Sequence, residues 1–387
     1  MITNGKKNIK KILLTGGCTG GSVMPLLAIF DELTKEQLGH RMSRLDIRCP
    51  SYKFLWIGTK NGVEREMIGK EKIEFKPIVN GKFRRYFSWK NFIDPFYVLT
   101  GFIQSLFIIN KWKPDLVISA GSFVSVPVVW AAWIWRASVL IHQQDIRPGL
   151  ANKLMAPFAK IITTTFAESV KDYGPKTVWT GNPIRQNLIT RKQENKKTRK
   201  QSNGLLAVLI IGGGTGAGAI NKLVERSLDE LTKFCRIIHV TGKNKNNKPV
   251  ILKRSEESRG LEVNNIVNNY NSFEFLNTQD LAAAYAAADV VVSRCGMGVL
   301  SELAYFKKPS ILIPIPNSHQ EDNAAYFYHK NAAVVLDQNE LTPPVFIKKI
   351  KELLADKEKQ KELSENIGRI IKRGANKNII KIIKEIF

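Results

Sequence analysis

The chain has 387 residues, enough for two hydrophobic cores, and carries a formal charge of +25 from 59 Lys and Arg against 34 Asp and Glu. That excess either is a Lys-rich composition dispersed over the surface or suits phosphorylated substrates or an anionic membrane, and the absence of a recognition helix or an RNP-like aromatic pattern leaves nucleic acid outside the expected partners. Cys18, Cys49, Cys235 and Cys295 form no CxxC pair, which argues against a disulfide framework or a zinc site and fits a reducing cytoplasm.

The first element read from the sequence is a buried strand in "KKILLTGG". The apolar run in the basic N-terminal stretch is too short for a signal-peptide core, and no stretch of 18 or more apolar residues is uninterrupted, so no spanning helix is expected. Further strands are expected in "KFLWIGT", "DLVISAG", "SVLIHQQ", "KIITTTF" and "TVWTGNP", the grammar of a parallel α/β sheet. Between them, Phe83, Tyr86, Phe87, Trp89 and Phe92 interleave with Lys82, Arg84, Arg85 and Lys90, the pattern of an interfacial membrane patch. Val98 to Ile109 reads instead as core facing the sheet, and "VVWAAWIWR" as a mostly buried helix with Trp135 facing lipid.

A charged, amide-rich stretch at 186–203 reads as a linker. The grammar then resumes with "LLAVLIIGGGTGAGAIN", "CRIIHVTG", "SFEFL", "DVVVSRCG" and "SILIPIP". The expected organisation is an N-terminal domain at 1–185, a second domain at 204–366, and a C-terminal helix at 367–387 packing back on the first. Each domain opens with a strand running into a glycine-rich turn and a helix, where bare backbone and helix N-termini admit a ligand's polar or anionic groups. Two such turns predict a ligand cleft. Neither turn is a P-loop, and the opening "GGCTGGSVMP" lacks dinucleotide spacing.

Taken together, "GGCTGGSVMPLLAI", "KPDLVISAGSFVSVP", "IHQQDIRPGLANKLMA", "TGNPIR", "IIGGGTGAGAIN" and "AAADVVVSRCGMGVLSELAYFKKPSILIPIPNSHQEDNA" resemble the MurG family of glycosyltransferases almost end to end. The resemblance implies an α/β GT-B fold, two Rossmann-like domains with parallel sheets facing a cleft. It implies the inverting transfer of N-acetylglucosamine (GlcNAc) from UDP-GlcNAc to the 4-hydroxyl of N-acetylmuramic acid (MurNAc) in lipid I, undecaprenyl-pyrophosphoryl-MurNAc-pentapeptide, forming lipid II for peptidoglycan. It also implies a peripheral enzyme on the anionic cytoplasmic leaflet. Donor contacts carried over are Arg185, Gly214, Thr215, Asn221, Leu276, Arg294, Gly296, Glu302, His319, Gln320 and Asn323. On the acceptor side they are Thr19, Gly20, Gly21, Ser22, Gly121, Ser122, Gln143 and Asp145.

Physical readings stand beside these. A carboxylate such as Glu302 can accept two ribose hydroxyls, but it is equally at home on a solvated helix. Gln320 can donate to and accept from sugar hydroxyls, Asn323 can brace its helix instead, and His319 can sense the diphosphate or cap the helix. Arg185, at the expected hinge, can pair with a diphosphate or lock the interdomain geometry.

The chain departs from the family at Ser22, where most members have His, and at Gly214-Thr215, where they commonly have Ser-Gln. Gln143 and Asp145 replace the Glu and Asn of the family's "HEQN". Serine accepts no proton at neutral pH, so the base is sought among Ser22's alternatives, Asp145 and His142. Asp145 as a helix cap is the competing reading. No Asp-x-Asp pair occurs in the donor block, so no metal or other cofactor is expected. Two further functions stay open: the same fold with another lipid-linked acceptor, or a UDP-sugar or lipid-headgroup binding protein with weakened catalysis.

Overall fold

The computed structural model describes residues 9–18, 20–42, 51–81, 90–185, 188, 204–213, 217–242 and 269–387, without the side chains of 38–42 and 90–93. The chain divides into Met1–Gln186 with Lys372–Phe387, and Asn187–Ile371.

In the first unit the strands are β1 (Ile9–Thr15), β2 (Ser51–Thr59), β3 (Glu74–Ile78), β4 (Leu116–Ser119), β5 (Ser138–Gln143), β6 (Ile161–Thr164) and β7 (Thr177–Trp179). They form one sheet in the order β3-β2-β1-β4-β5-β6-β7, with every pair parallel. The helices are α1 (Met24–Met42), α2 (Val63–Lys70), α3 (Lys90–Trp112), α4 (Ser125–Ile134) and α5 (Leu150–Met155). Side chains alternate across the sheet. Ile12 and Leu14 pack with α1 residues on one face, while Leu13 packs with Val124, Val128 and Ile109 on the other. β3 was not expected from the sequence: its charged residues and Pro77 hide it, and an edge position is where a sheet tolerates proline.

The second unit has β8 (Leu206–Ile211), α6 (Gly218–Leu231), β9 (Cys235–Val240), β10 (Tyr270–Phe273), α7 (Thr278–Ala287), β11 (Val290–Ser293), α8 (Met297–Phe306), β12 (Ser310–Leu312), α9 (His319–His329), β13 (Val334–Val335), α10 (Pro343–Ala355) and α11 (Lys357–Ile370). Its parallel sheet runs β10-β9-β8-β11-β12-β13. Local chemistry sets the helix starts: Asn277 accepts from Gln279 N at 2.9 Å and Asp280 N at 3.0 Å, Ser318 accepts from Gln320 N, and Pro343 opens α10.

The chain then returns to the first unit through α12 (Ala375–Ile386), whose Ile379, Ile380, Ile382 and Ile383 join the α1 face of its core. The expected boundary at 367 falls inside α11; the division comes at Lys372, after that helix has ended.

In each sheet the chain starts near the middle and builds outward in both directions. The reversal lies between β1 and β4 in one unit and between β8 and β11 in the other. Helices leave opposite faces at such points, which opens space beyond the carboxyl ends of the strands. The register aligns Thr15 with Ser119 and Ile211 with Ser293, so Gly16–Cys18 neighbours Ala120–Ser122, and Gly212–Gly213 neighbours Arg294–Gly296.

Candidate active site

In the first unit the glycine turn after β1 is held from three sides. Trp56 Nε1 donates to Gly16 O at 3.1 Å. Ser22 Oγ accepts from Gly17 N and donates to Gly17 O, both at 3.1 Å. Glu64, fully buried on α2, accepts from Cys18 N at 3.1 Å, from Thr59 N at 2.8 Å and from the Thr59 hydroxyl. A Cβ on Gly17 would lie 2.3 Å from Glu64 Oε1, so glycine is required there by the carboxylate behind the turn. Cys18 has φ of 67°, a left-handed conformation held by these bonds. Thr19 lies outside the described residues. Beyond Gly20 nothing comes within 4 Å of a built Cβ, and Gly21 is exposed, so this edge of the turn stays open.

The candidate bases separate clearly. Ser22 is committed to closing the turn. His142 is fully buried, with Nδ1 2.9 Å from Thr163 Oγ1 and Nε2 2.8 Å from Asn182 Oδ1, and burial holds its imidazole down at about 4. An amide oxygen only accepts, so Nε2 carries the proton and Nδ1 faces the threonine hydroxyl. That removes His142 from the role of base: neither ring nitrogen is left to meet a substrate. Gln143 is a scaffold as well. Its Nε2 donates to Asp145 O at 2.8 Å and Arg147 O at 3.0 Å, and its Oε1 accepts from Asn152 Nδ2 at 2.6 Å and Tyr173 OH at 2.8 Å. Asp145 stands half-buried on the loop thus held.

Around these turns buried oxygens lack protein partners. Gly121 and Ser122 follow β4 with φ of 98° and 87°, and Ser122 Oγ is unpaired. Gln144 donates to Ala120 O at 2.9 Å, which leaves its Oε1 unpaired. Because Gln143 presents its amide oxygen to Asn152, the Asn152 amide must donate there, and its Oδ1 is left unpaired. Asn80, whose Nδ2 reaches Cys18 Sγ at 3.4 Å, likewise has an unpaired Oδ1. Buried acceptors without donors are expensive, so those on Asn80 after β3, Ser122 after β4, Gln144 after β5 and Asn152 on α5 suit a ligand rich in O–H or N–H groups.

In the second unit Gly213, with φ of 90°, turns the chain after β8; Gly214 and Thr215 lie outside the described residues. Several expected donor contacts prove to be held within the protein. Arg294 Nη1 donates to Ile313 O at 3.0 Å and Pro314 O at 3.1 Å, and its Nη2 to Gln338 Oε1 at 2.6 Å. Asn323, fully buried, donates to Cys295 O at 3.1 Å. Asn221 donates to Thr241 O at 3.0 Å and accepts from His239 Nε2 at 3.1 Å, while burial lowers His239 to about 4. Leu276 is buried. Arg185, in the first unit, pairs with Asp31 at 2.9 Å and Glu71 at 2.8 Å instead of standing free for an anion.

What remains open in this unit is narrower. Gln320 Oε1 accepts from Cys295 N at 3.1 Å and Ile315 N at 3.3 Å, and its amide nitrogen lies 4.0 Å from a Cβ built on Gly296, the N-cap of α8. His319 is exposed in the first turn of α9. Glu302 on α8 is half-buried and accepts from Tyr285 OH at 2.7 Å; desolvation pushes its carboxyl up to about 7 against the pull of that hydrogen bond.

The expected membrane residues Phe83, Tyr86, Phe87 and Trp89 lie outside the described residues, as does the Phe92 side chain. Among the described residues, exposed apolar surface lies on α3 and at the end of α4. On α3, Phe96, Leu99, Ile103 and Phe107 are 69%, 54%, 46% and 72% exposed at helical spacing, whereas Phe102, Leu106 and Ile109 face the core. Val98 to Ile109 is therefore only partly core. On α4 the valines and alanines are buried while Trp133, Ile134 and Trp135 are exposed. No helix among the described residues is long and apolar enough to cross a membrane.

The glycosyltransferase family 28 N-terminal domain matches residues 12–164 and the family 28 C-terminal domain matches 207–381. The UDP-N-acetylglucosamine–N-acetylmuramyl-(pentapeptide) pyrophosphoryl-undecaprenol N-acetylglucosamine transferase of Clostridium botulinum is 39% identical over 97% of this chain and 99% of its own. Its Clostridium kluyveri counterpart is 40% identical over 89% and 91%. This chain belongs to the MurG family of glycosyltransferases. The Acinetobacter baumannii MurG crystal structure, 22% identical, covers 97% of this chain and 99% of its own at a TM-score of 0.69, and the shared fold is GT-B.

Within this MurG-family frame, residues absent from the motif reading organise the turns: Glu64, Trp56, Asn80, Gln144, Asn152 and Tyr285. Asn152 and Gln144 were visible inside "IHQQDIRPGLANK", but nothing local in the sequence distinguishes an amide with an idle oxygen from a surface amide. Glu64 carried no signal beyond a glycine two residues earlier.

Proposed function

We propose that this chain transfers GlcNAc from UDP-GlcNAc to the 4-hydroxyl of MurNAc in lipid I, releasing UDP and forming lipid II. The observation that carries the acceptor side is the set of unpaired buried oxygens on Ser122, Gln144, Asn152 and Asn80. A sugar with hydroxyl and amide donors fits such acceptors better than a bare anion does. The donor side rests on the second unit, where Glu302 meets the ribose hydroxyls, the Gln320 amide meets the sugar, and backbone N–H groups at the starts of α6, α8 and α9 face the diphosphate.

In the reaction the MurNAc 4-hydroxyl attacks the anomeric carbon, the bond from that carbon to the UDP oxygen breaks with inversion, and the hydroxyl proton passes to a base. Asp145 is that base. The Gln143 amide holds the Asp145 and Arg147 carbonyls and so fixes the loop that carries this carboxylate. No metal is assigned a part: the leaving charge falls to backbone dipoles and helix N-termini. Attachment to the cytoplasmic membrane face runs through the exposed α3 face and the tryptophans ending α4, with the chain's basic excess drawn to anionic headgroups.

Offering a lipid I analogue and a diacylglycerol in competition tests the acceptor: labelled GlcNAc appears on the lipid I analogue alone, and labelled diacylglycerol would overturn the assignment. Asp145→Asn tests the base. Its kcat should fall by about 10²-fold or more with little change in donor KM. Near-normal turnover by the folded variant removes Asp145 from the mechanism.

A further inference from the structure

We propose that Tyr285 is a positioning residue for the ribose of the donor: its buried hydroxyl fixes one oxygen of Glu302 and so orients the other toward the ribose diol. This rests on the assignment of Glu302 to the ribose.

The geometry supplies the reason. Tyr285 on α7 is fully buried, and its hydroxyl donates to Glu302 Oε2 at 2.7 Å. Its ring stacks on Phe306, one turn along α8 from Glu302, with centroids 4.9 Å apart and planes 14° from parallel. Phe306 is braced in turn by Tyr305, edge-on at 5.3 Å. The hydroxyl is therefore carried on a ring that cannot swing, and the carboxylate it grips cannot turn freely about its terminal bond.

A vicinal diol donating to one carboxylate needs that plane fixed, and a short bond from a phenol to a charged oxygen is strong enough to fix it. Core filling alone would need only a phenylalanine here. The hydroxyl has a second consequence. Desolvation raises the Glu302 carboxyl, and the phenol's hydrogen bond opposes that rise, which favours the ionised form a diol requires.

Binding of UDP and of 2′,3′-dideoxy-UDP separates positioning from packing. Equilibrium titrations at pH 8 would use the wild type, Tyr285→Phe, Glu302→Gln and the double variant. The wild type should prefer UDP. Tyr285→Phe, which keeps the ring and its stack, should weaken UDP binding by about five- to tenfold and leave the dideoxy ligand unchanged. Added to Glu302→Gln, it should change neither ligand further. Equal weakening of both ligands, no weakening of either, or a full additional effect in the Glu302→Gln background would overturn the inference. A wild type that binds both ligands equally would instead remove the ribose assignment of Glu302, and the inference with it.

Discussion

Glu64 looks in sequence like one of two solvated carboxylates on a short helix, with Glu66 two residues on, yet it is wholly enclosed and takes three hydrogen bonds. Glu64→Ala would strand Cys18 N, Thr59 N and the Thr59 hydroxyl, and should destabilise the first unit by about 3 kcal/mol in urea denaturation. Ser22→Ala removes only the latch across Gly17 and should cost about 1 kcal/mol while transfer persists; loss of transfer by a stable variant would return Ser22 to the chemistry.

The buried histidines set a pH signature. His142 and His239 are held near 4 against an ordinary 6.5, so between those values the unfolded chain binds protons that the native chain does not. Stability therefore falls as pH drops from about 6.5 to 4. Glu302 works the other way: raised from 4.5 to about 7, it favours the native chain as pH falls through 7. Denaturation midpoints measured across this range should decline toward acid, less steeply in His142→Gln and more steeply in Glu302→Gln. The positions of the glycine turns were readable because backbone freedom leaves a mark in composition. The partners of Arg294, Asn221 and Asn323 were not, since a polar side chain looks the same in sequence whether it meets a ligand or a carbonyl 20 residues away.

Among the elements, α3 departs furthest from its sequence reading. Its apolar residues occur on all sides, so periodicity alone could not separate the face that meets Val128 and Val129 from the face that carries Ile103 and Phe107 outward. Replacing Ile103 and Phe107 together with Asp should abolish sedimentation with anionic vesicles while changing stability by about 0.5 kcal/mol or less, because both are exposed. Undiminished vesicle binding would move the membrane contact elsewhere. Most strands were legible because buried parallel strands are written as apolar runs; β3 and β13 were not, because charges and Pro77 interrupt the first and the second is only two residues long.

Across the whole molecule the last segment completes the first unit's core although nearly two hundred residues of the second unit precede it. Gly181, with φ of 86°, brings Lys372 O within 2.1 Å of where a Cβ would stand, and Asn376 pairs with Ile184 through both its amide atoms at 3.1 and 2.9 Å. Amphipathic spacing made α12 visible in the sequence, but its docking surface on α1 follows only from the fold. Ile383→Ala should destabilise the first unit by about 2–5 kcal/mol, read as a shift in its urea transition.

The most direct test of the proposed reaction is the transfer of radiolabelled GlcNAc from UDP-GlcNAc to a short-chain lipid I analogue, run without added metal and in parallel with EDTA. Equal product in both conditions is the expected result, with inversion at the anomeric carbon. No product from an enzyme that binds UDP-GlcNAc would contradict the transfer itself, and product only in the absence of EDTA would contradict its independence of metal.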